Sequence, residues 1–549
     1  MKRYVSLDFL RGIAIFGMVF VHILVNIYDL SWTESDASLT GAPLVAIIML
    51  VSGLYLGSWA GLFLMVSATG NMISMQSNLK AGNGVKSMLM KQVVGGLILV
   101  FFSFLCEGTF QYYGLFHNLI DGSTDLTKPF WKAYTMETIA TIGWSMVLNG
   151  IVHALLSRND GYLKIRRNIV IYAILAIVSV ALTQLVWDWV RSMYLTYSLD
   201  PLNPRGIFRP SINAPFSEYL WKFFLLPLGG QPEPLFPFFA VSCIGSIIGL
   251  KLVEEPVTRT WPKRGVIIGM LIVVFGLLFW IIGDLPFDSL LPLEDFSTFT
   301  RIGDGLNWRW LPWICFITGG QIVLVCLTFR LIEFRGKAQK FAAKTHFFRR
   351  FGMIAFTNYA FHRIIAIVPL YLFSLLIQVP ISLEVKSLNG WLTLVCVAIV
   401  VLVIHGLMLL WEKVDYIGSL EWMIGTISAY LLGVPKKSPQ KMPWYRWGAR
   451  NQKEIFYDVE WINIFPETDN GGVEFRNSKL ALKFAALGFL LFPATILGLT
   501  LAKSSLQLEG TNKYAQKAKK IGLIAGIINI VLIIVLYFLR LTTFGIKSL

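Results

Sequence analysis

Charged side chains are scarce in this chain. Of its 549 residues only 15% are Asp, Glu, Lys or Arg, 55% are hydrophobic, and the mean hydropathy is +0.64. That balance excludes an ordinary soluble domain. Cysteine is scarce as well. Cys106, Cys243, Cys315, Cys326 and Cys396 all sit in apolar runs and make no CxxC pair, so neither a disulfide framework nor a zinc site is expected. The apolar runs are continuous rather than alternating, which excludes a membrane β-barrel. No internal repeat and no low-complexity tract is present. GNGVK at 82–86 has the look of a phosphate loop but opens no soluble α/β unit.

What the chain does have is one apolar run after another, many long enough to cross a bilayer. The expected fold is all-α, a polytopic transmembrane helical bundle of about 12 spans. Ten spans are placed near 10–29, 57–76, 92–115, 136–156, 168–189, 234–252, 265–283, 310–331, 352–378 and 391–411, in a core over 1–433. A polar linker, 434–477, leads to a C-terminal two-span hairpin, 478–549, with spans near 479–502 and 519–540. The short run 44–56 reads as re-entrant or interfacial. Within the linker, VEWINIF and GVEFR flank PETDNGG and are expected to pair as a small hairpin.

The net charge of +16 sits mostly in short loops. Lys80, Lys86 and Lys91 follow the second span, Arg158, Lys164, Arg166 and Arg167 the fourth, and Lys251, Arg259, Lys263 and Arg264 the sixth. Alternation of such loops with acidic ones is the positive-inside pattern, so the N-terminus is expected in the cytoplasm of a cell-membrane protein, and nucleic acid is not expected as a partner. Lys2 and Arg3 precede an apolar run, yet Asp8 and Arg11 interrupt it and no small-x-small cleavage site follows; the run reads as a retained first span. Two outer loops, 188–222 and 284–309, are long enough to cover a site.

The first span carries a polar stripe. Arg11 and His22 are eleven residues apart, close to three helical turns, which places them on one face about 16 Å apart. Asp8 and Asn26 fall on the same stripe. Ionisable groups at membrane depth point to function. The plain alternative is that Asp8 and Arg11 snorkel to the interface and His22 is a satisfied core histidine.

This opening, LDFLRG with a histidine eleven residues after the arginine, resembles membrane-bound acyltransferases of the acyltransferase-3 and heparan-alpha-glucosaminide N-acetyltransferase-like families. METIATIGWSMVL (136–148), PLFPFFAVSCIGSIIG (234–249), FGMIAFTNYAFHR (351–363) and GSLEWMIG (418–425) look, in that order, like segments of bacterial relatives of the second group. The chain departs from those relatives at His22, where Asn is usual, at His362, where Gln is usual, and at Gly425, where Arg is usual.

The resemblance implies transfer of an acetyl or short acyl group from cytoplasmic acyl-CoA to a glycan or lipid-linked sugar at the outer face. Such transfer needs a base, and His22 is the natural one because its pKa lies nearest neutrality. Arg11 would hold phosphate or pantetheine oxygens of acetyl-CoA, oriented by Asp8. Asn358 and His362, four apart on one helical face with Tyr359 and Arg363 alongside, join His22 as catalytic candidates or else form an interhelical hydrogen-bond node. Asn26, Glu107 and Glu137 are the candidate acceptor contacts. His117, His153, His346 and His405 are assigned no role, and no metal is expected. Membrane lipids are the surroundings, and self-association into a homo-oligomer stays open. Two other classes fit the composition: a transporter or flippase of a small polar or lipid-linked molecule, and a non-enzymatic scaffold docked through its C-terminal segment.

Overall fold

A computed structural model describes residues 2–28, 60–111, 114–120, 127–197, 214–230, 232–283, 308, 310–381, 383, 388, 390–433, 456–457, 459–465, 476–488, 492–510 and 512–545. The re-entrant run at 44–56 and most of the two long loops lie outside these residues. The chain divides into two compact units. The first is Met1–Asp29 with Ile48–Ile464, and the second is Leu30–Ile47 with Phe465–Leu549.

The first unit is built from α1 (Val5–Ile27), α2 (Ala60–Lys80), α3 (Val85–Thr109), α4 (Leu115–Ile120), α5 (Thr127–Ala133), α6 (Thr138–Leu156), α7 (Ile165–Tyr197), α8 (Phe216–Gly229), α9 (Leu235–Val253), α10 (Trp261–Ile282), α11 (Trp310–Leu331), α12 (Ala338–Lys344), α13 (His346–Met353), α14 (Ala355–Ile377), α15 (Gly390–Glu412) and α16 (Leu420–Leu431). Among the described residues nine helices are long and apolar enough to cross a membrane: α1, α3, α6, α7, α9, α10, α11, α14 and α15. The protein is thus a multi-pass helical membrane protein. The expected second span is a 21-residue helix, α2, but Thr69, Asn71, Gln76 and Asn78 make it too polar to count among the nine. It is packed against α9, α1 and α6, and a helix surrounded by protein has no need of an apolar face all round. Helices α7 and α10 instead turn Ile177, Leu271 and Ile281 outward, as lipid-facing helices do.

At the centre stands α1, in contact with α2, α11, α12, α13, α14 and α15. Its approach to α13 is backbone on backbone. A Cβ on Gly12 would lie 2.0 Å from the Phe348 carbonyl oxygen, and one on Gly352 would lie 2.9 Å from the Gly12 nitrogen. Edge-on ring contacts of Phe9 and Phe16 with Phe348 border this seam. The N-terminus of α1 is capped from far along the chain. Glu333 accepts from the Ser6 nitrogen at 2.8 Å and from its hydroxyl at 2.5 Å, placing a carboxylate at the positive end of the helix. Around that end gather the basic loops: Tyr4 bonds Leu252, Lys80 pairs with Glu255, and Lys251 pairs with Glu254.

The expected linker is divided. Residues 456–464 belong to the first unit, where Glu460–Trp461 pairs in parallel with Lys2–Arg3. VEWINIF therefore pairs with the chain's own N-terminus, and most of GVEFR lies outside the described residues. Arg349 is clasped between the rings of Phe456 and Trp461, 4.5 and 4.7 Å from their centroids. Burial pulls its guanidinium down to about 10, and Arg3 and Arg350 nearby act in the same direction. Arg350 pairs with Glu412 at 2.7 Å and bonds the Tyr457 hydroxyl.

In the second unit α17 (Arg476–Leu487), α18 (Phe492–Leu508) and α19 (Lys513–Gly545) pack on one another. The expected span at 479–502 is two helices, not one. Glu509 caps α17 through the nitrogens of Asn477 and Ser478 and the Ser478 hydroxyl.

Gly12→Ala puts a methyl into a carbonyl that cannot step aside. Overpacking of this kind costs roughly 1–3 kcal/mol or more. The expected outcome is a lower melting temperature and lower folded yield in detergent, followed by size exclusion; an unchanged melting curve would show that α13 is not seated there.

Candidate functional site

From the glycine seam, α1 and α14 run side by side. The N-terminus of α14 is fixed by Glu421 of the LEW segment, which accepts from the Phe356 nitrogen at 2.6 Å and the Thr357 hydroxyl at 2.6 Å. Two turns on, His362 meets His22: Nε2 of His362 lies 3.0 Å from Nδ1 of His22. His362 is fully buried and His22 half-buried.

The donor order in this pair is set by a carbonyl. Nδ1 of His362 is 2.7 Å from the backbone oxygen of Tyr359, which can only accept. His362 therefore carries its proton on Nδ1 and presents a lone pair on Nε2. His22 must donate from Nδ1, which leaves the basic lone pair of the neutral His22 ring on Nε2.

Next to the pair lies a buried acid–base chain. The Tyr359 hydroxyl donates to Glu107 at 2.7 Å, and Lys132 lies between Glu107, at 3.3 Å, and Glu137, at 2.6 Å. Burial would pull the Lys132 ammonium down, but Glu137 and Glu107 outweigh it and hold it above the usual lysine range. Met136 pairs with Pro232 in a short parallel bridge, bringing Glu233 beside Glu137. Oε2 of Glu233 is enclosed without a hydrogen-bond partner. Burial raises this carboxyl to about 8, with Glu137 adding to the rise and a Thr138 hydrogen bond opposing it.

The expected residues thus divide. His22, His362, Glu107 and Glu137 converge at one end of the bundle. Asn26 adjoins them, giving its amide to the His22 carbonyl at 2.5 Å. Asn358 is committed elsewhere. Its amide donates to the Phe351 carbonyl in the last turn of α13 at 3.1 Å and lies against Met408 Sδ, the interhelical node that is the alternative to a catalytic role. Asp8 is ion-paired with Arg3 at 2.8 Å near the start of α1, and Arg11 extends over Gly70 of α2. Lys132, Glu233 and Gln111, whose amide bonds the Tyr359 carbonyl at 2.7 Å, were not anticipated. Among the described residues no group of three or more His, Cys, Asp or Glu is arranged to hold a metal ion. Compared with protein-family models, curated proteins and solved structures, the chain matches none.

A carboxyl raised to about 8 by the fold favours the protonated native state. Its stabilising contribution is complete below the ordinary carboxyl value and is lost as pH rises through about 8. The melting temperature should fall between about pH 5 and 8, and this slope should flatten in Glu233→Gln. Equal slopes in the two proteins would remove Glu233 as the source.

Proposed function

We propose that the chain is an integral membrane acyltransferase, moving an acetyl or similarly short acyl group from acyl-CoA to a hydroxyl or amine of a glycan or lipid-linked sugar. The observation that carries this reading is the His22–His362 contact, with its donor order held by the Tyr359 carbonyl. A base must present a lone pair to the attacking group, and His22 Nε2 is the nitrogen that does so.

In the proposed reaction the acceptor's oxygen or nitrogen attacks the thioester carbonyl while His22 Nε2 takes its proton. The carbon–sulfur bond breaks, and the proton returns from His22 to the departing thiolate, giving free CoA. The imidazolium formed on the way is steadied because its Nδ1–H already points at His362 Nε2. This is the task a carboxylate performs behind a catalytic histidine, done here by a second ring. Arg11, about 16 Å back along α1, is the proposed anchor for the cofactor's phosphates. The basic loops around that end of α1 support a cytoplasmic N-terminus in the cell membrane. Glu107 and Glu137 are the proposed acceptor contacts, each already oriented by Lys132.

The test is transfer of labelled acetyl from acetyl-CoA to lipid-extractable glycans in membranes, with acetyl-CoA binding measured in parallel. Loss of a general base should lower transfer about 10²–10⁴-fold in His22→Ala while binding persists. Arg11→Ala should lose binding. His362→Gln, whose side-chain oxygen still accepts from His22, should keep more activity than His362→Ala. Wild-type transfer rates in both alanine variants at the His pair would overturn the proposal.

A further inference from the structure

Helix α6 with its two flanking caps carries a polar residue at every fourth position: Glu137, Thr141, Ser145, Asn149, His153 and Ser157. From first to last this is about 30 Å, the thickness of a bilayer core. The five after Glu137 are each no more than 2% exposed. Each step of four residues turns about 40° round the helix, so the stripe winds slowly and changes neighbours as it goes. Thr141 bonds the Glu233 carbonyl, Asn149 gives its amide to Ser242 of α9 at 2.7 Å, and His153 meets Gln76 of α2 at 3.3 Å.

Four of these side chains keep a buried polar atom with no protein partner: Ser145 Oγ, Asn149 Oδ1, His153 Nδ1 and Ser157 Oγ. Helices facing the stripe add Gln76 Oε1, Gln92 Oε1 and Ser246 Oγ. The donor order is again set by a carbonyl. The Gln76 amide nitrogen donates to the Tyr162 oxygen, so the His153 Nε2 beside it accepts, and the neutral ring directs an Nδ1–H at no protein acceptor. Buried polar atoms of this kind in a membrane bundle require partners. The unmet atoms are three amide oxygens that only accept, the His153 Nδ1–H that donates, and three hydroxyls that do either, a mixture that suits water, since one molecule both gives and takes.

We infer that α6 carries a hydrated, proton-conducting track that links the Glu107–Lys132–Glu137 cluster with the basic end of the bundle. Each step passes a proton from one water or side chain to the next and receives another behind it. One proton enters, one leaves, and no other bond changes. Besides His153, ionisable groups beside the track among the described residues include Glu233, Cys243, Tyr172, whose hydroxyl bonds the Asn149 carbonyl, and Arg167, which binds the Leu156 and Gly161 carbonyls at the basic end. The inference is independent of acyl transfer.

The test uses the full chain in liposomes loaded with a pH dye, with potassium and valinomycin setting the membrane potential and no acyl-CoA present. Wild type should take up protons faster than protein-free liposomes. Asn149→Leu should slow this by about tenfold, the effect of one lost buried hydrogen bond on a rate. Ser246→Ala, which removes one hydroxyl without adding volume, should act in the same direction if Asn149→Leu does not fold. Ile151→Leu, on the outward face of the same helix, should leave flux unchanged. Wild-type flux equal to that of empty liposomes, or undiminished flux in a folded Asn149→Leu or Ser246→Ala protein, overturns the inference.

Discussion

Two backbones touch where α1 crosses α13, and the rest of the site hangs from that contact. Gly12 and Gly352 have no side chains to hold the chains apart, so their main chains meet within a Cβ's reach. Ten residues further on stand His22, on the same helix α1, and His362, past the break at Ile354 and on α14. On α1 the step is about 15 Å of continuous helix; on the other side the Glu421 cap fixes where α14 starts, so seam and cap together set the register of the two imidazoles. A helix shifted by a single residue would rotate His22 by about 100° and part the rings. The pair is therefore a product of packing at a distance, and neither histidine creates it alone.

Helix ends in a low-dielectric bundle present unpaired N–H groups, and this chain answers them in one way three times. Glu333 caps α1 beside Ser6, Glu421 caps α14 beside Thr357, and Glu509 caps α17 beside Ser478. In each case a carboxylate from a remote segment accepts a backbone nitrogen and a hydroxyl in the first turn. The negative charge meets the positive end of the helix dipole, so a group that would be costly elsewhere is stabilised. Two of the three caps hold the helices that bear His22 and His362. The same carboxylates thus fix chain topology and aim the rings.

Much of this was legible in the sequence, and the limits have physical causes. Spans such as Leu235–Val253 announce themselves by composition, because a bilayer demands a long apolar run. His22, His362, Glu107 and Glu137 stand out as polar groups where lipid is expected. Their meeting does not, since it depends on a glycine seam and on a two-residue bridge between Met136 and Pro232. Lys132 reads as an ordinary loop cation until its two carboxylates are seen around it. Asn358 shares a stripe with His362, but the break after Met353 offers it the Phe351 carbonyl, a partner that periodicity does not reveal. The α6 stripe hides for another reason. Its polar residues are spaced by four among apolar ones, so the helix stays apolar overall while a buried polar line runs through it.

The donor order at both buried histidines carries a shared argument. A backbone carbonyl cannot change role: it has no proton to give. At His362 the Tyr359 carbonyl, and beside His153 the Tyr162 carbonyl, impose one polarity on every hydrogen bond that follows. The two rings at the first site are consequently not interchangeable, even though both are imidazoles. His362 can only accept from its partner, and His22 can only donate to it, with its own lone pair on Nε2. A second ring behind the first then differs from a carboxylate in one respect. It steadies a positive His22 by a neutral lone pair, without adding a negative charge to a region that already contains Glu107, Glu137 and Glu233. Histidine at position 362 supplies the acceptor without placing a further charge behind His22.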